Sequence, residues 1–416
     1  MKAIVFDAAL PKYALTRAAG ALSDRFLTGV GRTTRLAEVP VPALPGERWV
    51  RIRTVLGGVC GSDLALVRLR VSPSTSPFSS SPFVVGHENV GVVAEVGTAV
   101  GGFVPGERVV ANPLLSCAPR GISPVCAHCA AGNPARCENF TGGELAPGML
   151  LGTTRGLGGS WGEYYVAHES QLVRVPDAVS DRAALLLEPL SSVLSPLLAH
   201  PPERGARLLV IGAGILGLLA VAALGAAAPG AEVTVLARYP FQAEAARRLG
   251  AAHVVLARGG GDYFEELARL SGGRLLQPIL GSRIQVGGFD GAVVAAGTEA
   301  AVDDALRFTR SGGSVLLLGN ISRARRVDWT PLWLKELTLR GSVCYNEHMH
   351  GGTRRHTFDI ARDLLAGGLA RELEPLVTHI YPLARYREAL AVAFGRRRAP
   401  SLKIAFAPES AGGERR

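Results

Sequence analysis

Cysteine is scarce in this chain. Six residues among 416 are far too few for a disulfide scaffold, so a secreted, cross-linked fold is excluded, and any clustering of the six points to metal or catalysis in a reducing compartment. Aromatic residues make up 6% and charged residues 19%, against 48% hydrophobic, which excludes a coiled coil and a globally disordered chain. Acidic side chains are outnumbered, 35 against 45 basic ones that are almost all arginine, for a formal charge of +10. The chain nevertheless lacks a basic block interleaved with aromatics, and the short runs Arg323, Arg325, Arg326 and Arg396, Arg397, Arg398 sit in no nucleic-acid-binding pattern. No nucleic-acid partner is expected, and the arginine bias reads as solvated surface with a phosphate site. No secretory leader is expected, because MKAIVFDAAL alternates like a strand and then meets Pro11 and Lys12, which makes a cytoplasmic location the expectation. One uncharged stretch, 208–229, matches a bilayer span in length. Its internal glycines and the Pro229-Gly230 stop favour a buried strand followed by a helix, so no membrane partner is expected.

What is present is glycine (51) and proline (26) in a chain long enough for two or three domains. Up to about residue 180 the sequence is turn-rich and strand-like, with alternating segments at 49–55 and 90–96. From about 205 to 345 it repeats apolar strand, glycine turn and helix. Strands are expected at 208–211, 233–236, 251–256, 291–295 and 314–318, and helices at 242–249 and 300–309. This is the pattern of a doubly wound parallel sheet. A helix at 358–366, a strand at 377–381 and a helix at 386–394 are too little for a third domain, so the tail is assigned to the first. Segments 10–32 and 72–82 read as surface insertions without periodicity, and 409–416 as a frayed end.

Three constellations carry chemistry. Cys117, Cys126, Cys129 and Cys137 bring four thiols into one short segment, and four thiolates complete a tetrahedral zinc with no open position, the mark of a structural site. Cys60, His87 and Glu188 are dispersed but offer a thiolate, an imidazole and a carboxylate, a ligand set that leaves a fourth place for substrate. Glu188 stands in the apolar segment 183–198, where an unpaired carboxylate is costly and a cation partner is favoured. Asp63 suits acceptance from the far ring nitrogen of His87, or alternatively a helix cap. Third, Gly212-x-Gly214-Ile215-Leu216-Gly217 follows a strand and opens a helix, the setting in which backbone approaches a pyrophosphate. After the second strand stands Arg238 instead of an acid, which favours the 2′-phosphate of NADP over NAD.

These pieces together resemble the zinc-containing medium-chain alcohol/polyol dehydrogenase family over nearly the whole chain. The resemblance rests on Cys-Gly-Ser-Asp at 60–63, Gly-His-Glu at 86–88, Pro-Gly-Glu-Arg-Val at 105–109, the cysteine lobe, Glu188-Pro189-Leu190-Ser191, the glycine motif, and Gly312-Gly313 before Leu318-Gly319. Glu188-Pro189-Leu190 is similar to the sorbitol, threonine and glucose dehydrogenase branch, as is 159–166 followed by Val175-Pro176-Asp177. The resemblance implies a GroES-like, mostly β catalytic domain at 1–183 and 346–416, and a Rossmann cofactor domain at 184–345. It implies a catalytic zinc on Cys60, His87 and Glu188 or Glu88, the two glutamates exchanging in turnover, and a structural zinc on the four lobe cysteines, two zincs per chain. Ser62 would bond the substrate hydroxyl and start the proton relay, and Ala296, Gly297, Asn320 and Asn346 would lie near the nicotinamide. A small alcohol, polyol or sugar substrate and a homodimer or homotetramer follow from the same likeness. Two departures stand out: eight residues, 118–125, separate Cys117 from Cys126 where the family usually has two, and Ala65 stands where many members carry a relay histidine. Two rival readings are a zinc-free quinone or enoyl reductase of the same superfamily, and a non-catalytic, zinc-stabilised NADP-binding redox sensor.

Overall fold

The alternating segment around Trp49 forms the strand Trp49–Gly58, with Trp49, Val50, Ile52 and Leu56 buried. The computed structural model describes residues 1–257, 261–319, 324–395 and 400–408. Arg323, the 396–398 run, Asn320 and the tail 409–416 therefore lie outside the described residues. Trp49–Gly58 is central in a seven-stranded sheet, flanked by antiparallel Asn89–Val96 and Tyr164–His168, with Arg108–Ala111 and Leu172–Arg174 beyond Asn89–Val96. On its other side the late strand Lys403–Phe406 pairs with its end, Ala405 opposite Gly58 and Phe406 opposite Gly57, and Val377–Tyr381 runs parallel to Lys403–Phe406. This register decides the chemistry described below, because it delivers the C-terminal strand to the mouth of the Gly-Gly-Val-Cys segment.

The chain falls into two compact units, Met1–Glu188 with Met349–Arg416, and Pro189–His348. The first boundary lies inside the helix Leu187–Ala199, not ahead of it as expected at 183/184. Segment 10–32, read as an insertion without periodicity, nevertheless contains the helix Leu10–Leu22, alanine-rich with proline in its first turn, followed by a short turn at Asp24–Phe26. Thr16 anchors that helix, fully buried, its hydroxyl accepting from the Thr33 amide at 2.9 Å. A single buried contact of this kind leaves no hydrophobic period in the sequence.

In the second unit, six parallel strands stand in the order His253–Leu256, Glu232–Ala237, Arg207–Ile211, Phe289–Val294, Thr309–Leu317, Thr338–Gly341. The order reverses at Arg207–Ile211, and such a reversal makes a binding crevice at the carboxyl ends of the strands. The uncharged stretch resolves into Arg207–Ile211 and the helix Ile215–Ala227, buried on all sides from Gly217 to Leu224. Among the described residues no helix is long and apolar enough to cross a membrane. A hairpin of Arg274–Leu276 and Ile284–Val286 precedes the fourth strand; its strands are too short to announce themselves by alternation.

The helix Glu299–Phe308 carries a titration of its own. Burial pushes the Asp304 carboxyl up to about 7, and neighbouring Asp303 adds to this against the Tyr263 hydroxyl, which lies 3.3 Å from both Asp304 oxygens. Below its ordinary range the group is protonated in both the folded and unfolded chain. As pH rises from about 4 towards 7 the unfolded chain ionises first, so folding stability is lost across that window. Asp304→Asn is therefore expected to gain about 2 kcal/mol at pH 8, discounted by half for a side chain only partly buried. Urea midpoints measured from pH 5 to pH 8 should show the advantage growing with pH; a constant difference would contradict the assignment.

A candidate metal centre and dinucleotide site

Where Trp49–Gly58 ends, the chain turns at Val59-Cys60 into the short helix Gly61–Val67. Asp63, buried in its first turn, serves both purposes foreseen for it: Oδ2 accepts from the Cys60 amide at 2.9 Å, and Oδ1 lies 3.3 Å from His87 Nδ1. That contact leaves Nε2 of His87 as the ring nitrogen not held by Asp63. Gly86 has φ +103°, and a Cβ there would strike Trp161 Cδ1 at 2.4 Å. The glycine lets the backbone pass tightly against Trp161 just before the buried His87. Donors and acceptors of Cys60, His87 and Glu88 lie within 4.8 Å of one another, and His87 and Glu88 are buried. Burial alone would lower the His87 pKa, but the Asp63 carboxylate and the Cys60 thiol outweigh it and hold the ring well above its ordinary value. A pocket that retains a proton against desolvation carries surplus negative charge, the electrostatic condition for a divalent cation. The donor set, sulfur, nitrogen and carboxylate oxygen, fits zinc.

Glu188 is buried but is not a member of this compact set. Glu88, in turn, is not free to be a simple ligand. Lys403 and Glu88 are both fully buried, and Lys403 Nζ sits against both Glu88 oxygens, hydrogen-bonding Oε1 while Oε2 accepts no hydrogen bond among the described residues; Nζ also donates to Val59 O at 3.2 Å. Burial works against the lysine's charge, but Glu88 foremost, then Cys60 and Glu188, raise its pKa, so the ammonium persists. The carboxylate lies over Gly58, where a Cβ would come within 2.0 Å of Oε2. Asn89 completes the support, its amide donating to His87 O and Ala111 O at 2.9 and 2.8 Å while its oxygen accepts from Ala111 N and the Tyr165 hydroxyl. Neither Lys403 nor Asn89 was foreseen. A polar residue in an otherwise apolar strand was the available signal in each case. Ser62 is half-buried on the helix, and its hydroxyl makes no hydrogen bond among the described residues.

The four lobe thiols also converge. Cys117 Sγ is 3.6 Å from Cys137 Sγ, which is 4.0 Å from Cys126 Sγ, and all four lie within 4.8 Å. Tetrahedral zinc with bonds of about 2.3 Å separates its sulfurs by about 3.8 Å, so the cage fits. Amides of Cys126 and Asn139 donate to Cys117 and Cys137, each at 3.4 Å, and the Asn139 side chain to Cys117 at 3.3 Å. Backbone donors from Glu138 and Cys129 lower the Cys126 pKa to about 6, whereas burial pushes Cys129 up to about 11. Segment 118–125 loops out without displacing any of the four.

In the second unit the glycine motif meets its mechanical requirements. Gly212 has φ +98°, and a Cβ on Gly217 would lie 1.8 Å from Gly212 O. Gly214 faces open space and caps Ile215–Ala227 without a side chain, which leaves the first amides, beginning at Ile215 and Leu216, unclaimed by any cap. A Cβ on Gly212 would strike Ala296, as would one on Gly319, so the ends of three strands close around Ala296 and Gly297. Arg238 is exposed just past Glu232–Ala237, its guanidinium 5.3 Å from the Tyr239 ring centroid. The Asn346 amide donates to Ser195 Oγ at 3.2 Å.

Residues 46–177 match the alcohol dehydrogenase GroES-like domain and residues 216–365 match the zinc-binding dehydrogenase domain. An L-threonine 3-dehydrogenase of Rhizobium johnstonii is 30% identical over 355 residues, 85% of this chain and 90% of the relative. Sorbitol dehydrogenase of Bacillus subtilis is 27% identical over 363 residues, 86% of this chain and 90% of the relative. In fold, the chain is similar to 2R,3R-butanediol dehydrogenase of Bacillus subtilis, with TM-score 0.68, 24% identity, and 90% and 96% of the two chains covered.

Proposed function

The chain belongs to the zinc-containing medium-chain alcohol and polyol dehydrogenases, and from that premise we propose that it interconverts a secondary hydroxyl of a polyol, sugar or amino alcohol with its carbonyl, using NADP in preference to NAD and two zinc ions per chain. The reading is carried by the convergence of Cys60 with the buried His87 and Glu88, near Ser62, whose hydroxyl makes no hydrogen bond among the described residues. When bound, zinc supplies Lewis acidity towards the substrate oxygen and the nicotinamide accepts or returns the hydride.

The chain's own residues then do the positioning. Asp63 fixes the tautomer and plane of His87. Ser62 accepts the substrate hydroxyl proton and, half-exposed and followed by Ala65 in place of a relay histidine, hands it to solvent. The third ligand is a carboxylate of Glu88 or Glu188, and Lys403, which feels both, neutralises whichever is off the metal. The polar neighbourhood of Ser62 and the buried Glu88 favours polyhydroxylated or amino-bearing substrates, the chemistry named in the threonine and sorbitol relatives. The unit Met1–Glu188 with Met349–Arg416 is the catalytic domain in this reading, and Pro189–His348 holds the dinucleotide on Gly212, Gly214 and Gly217. A homodimer or homotetramer, expected from the family, is measured by sedimentation.

Elemental analysis of the purified chain, followed by a panel of polyols, aldoses and amino alcohols with NADP+ and NAD+, tests the proposal. About two zincs per chain and turnover of a panel member support it; one zinc and no turnover remove the catalytic reading. Arg238→Ala should weaken NADPH binding about tenfold, the loss of one charge-assisted hydrogen bond to a phosphate. NADH binding should be unchanged, and paired fluorescence titrations read both.

A further inference from the structure

Segment 118–125, which spaces Cys117 from Cys126, carries one arginine, and that arginine points inward. Arg120 is fully buried. Its guanidinium donates only to neutral carbonyls: Nε to Leu115 O at 3.0 Å, one terminal nitrogen to Gly142 O and Leu145 O at 2.7 and 3.4 Å, and the other to Ala146 O at 3.1 Å and to Gly148 O. The Arg120 carbonyl accepts from the Glu144 amide at 3.0 Å, so the loop 142–148 closes around this one residue. Among the described residues no carboxylate pairs with it. The groups whose charge acts on it are Cys137 and Cys117.

A guanidinium does not deprotonate, and a buried cation surrounded by neutral acceptors alone is strongly disfavoured. Four thiolates around a divalent ion leave a net charge of about −2 on the lobe, the charge this arginine lacks. We propose that Arg120 is the built-in counter-charge of the cysteine lobe, a positioning residue that couples retention of a tetrathiolate-bound zinc to closure of the 142–148 loop. The inference rests on the reading that the lobe holds zinc. The two sites compensate each other: thiolates without the arginine repel, and the arginine without thiolates stands uncompensated.

Zinc release to a chelator from the full-length chain tests this, in a Cys60→Ser background where the remaining zinc reports the lobe alone. Arg120→Met, which keeps length and loses charge, is expected to release zinc at least about tenfold faster than its parent, the low end for loss of a metal's supporting shell. Arg120→Lys, which keeps charge and loses most of the carbonyl bonds, should stay within about threefold. Equal acceleration in both variants, or none in Arg120→Met, overturns the counter-charge and leaves at most a hydrogen-bonded loop tie. Absence of zinc from the Cys60→Ser parent instead overturns the lobe reading itself. Wild-type protein gives an independent test should Arg120→Met not fold. Trypsin should cleave after Arg120 once zinc is chelated and not before, with the cut mapped by mass spectrometry, and an Arg120 bond that stays protected after chelation counts against the coupling.

Discussion

Cys60→Ser is expected to lower kcat/KM about a thousandfold, remove one of two zincs per chain, and leave NADPH binding intact. The size follows from the several kcal/mol of charge stabilisation that a Lewis-acid site contributes, at 1.36 kcal/mol for each factor of ten. Cys60 Sγ is the only sulfur in the compact set with His87 and Glu88, and an alcohol replaces a soft anionic donor with a weak neutral one. Cofactor binding survives because the glycine motif and Arg238 belong to the other compact unit. Cys117→Ser is the matched control: it should also cost one zinc, but act through stability and not through the chemical step. Full activity of Cys60→Ser with both zincs present would sink the catalytic assignment, and an unaltered non-catalytic readout would favour the redox-sensor reading.

Lys403→Met should destabilise the fold by about 3–5 kcal/mol, the usual consequence of removing one partner of a buried ion pair. Glu88 and Lys403 are each fully buried, and Gly58 lies directly against the carboxylate. The double variant Glu88→Gln with Lys403→Met removes both charges and should recover most of the loss, giving a coupling energy of the same sign and order in urea denaturation. If the single variant instead matches wild type within error, the ion pair does not exist and Glu88 is available to the metal without a competitor.

The two predictions differ in how far their residues could be found beforehand. Cys60 stands in a four-residue motif beside Ser62 and Asp63, and the local chain alone places it at a strand-to-helix turn. Lys403 is 315 residues from Glu88 in the chain, and nothing in the motif Gly-His-Glu announces a partner. A composition signal existed: this chain surfaces itself with arginine, and of its four lysines two, Lys335 and Lys403, are buried. Lys335 shows the same logic in the other unit, its Nζ donating to Arg307 O and Thr309 O at 2.6 and 2.8 Å at the end of Glu299–Phe308.

The doubly wound sheet, the glycine motif and the cysteine lobe were legible because each is built from neighbours in the chain. Apolar periodicity fixes a strand or helix locally, a tight turn demands glycine at Gly212, and four thiols within one loop need no distant partner. The helix Leu10–Leu22 was not legible, since one buried threonine and a few half-buried contacts make no stripe. Arg120 was not legible either, because an arginine in a polar loop looks like surface until the 142–148 carbonyls enclose it. Which carboxylate shares the compact set with Cys60 and His87 is likewise a matter of the sheet register, and there it is Glu88. Local chemistry is encoded in adjacent residues; the compensation of buried charge is encoded in pairs that meet only when strands from opposite ends of the chain align, and such pairs carry no pattern in one dimension.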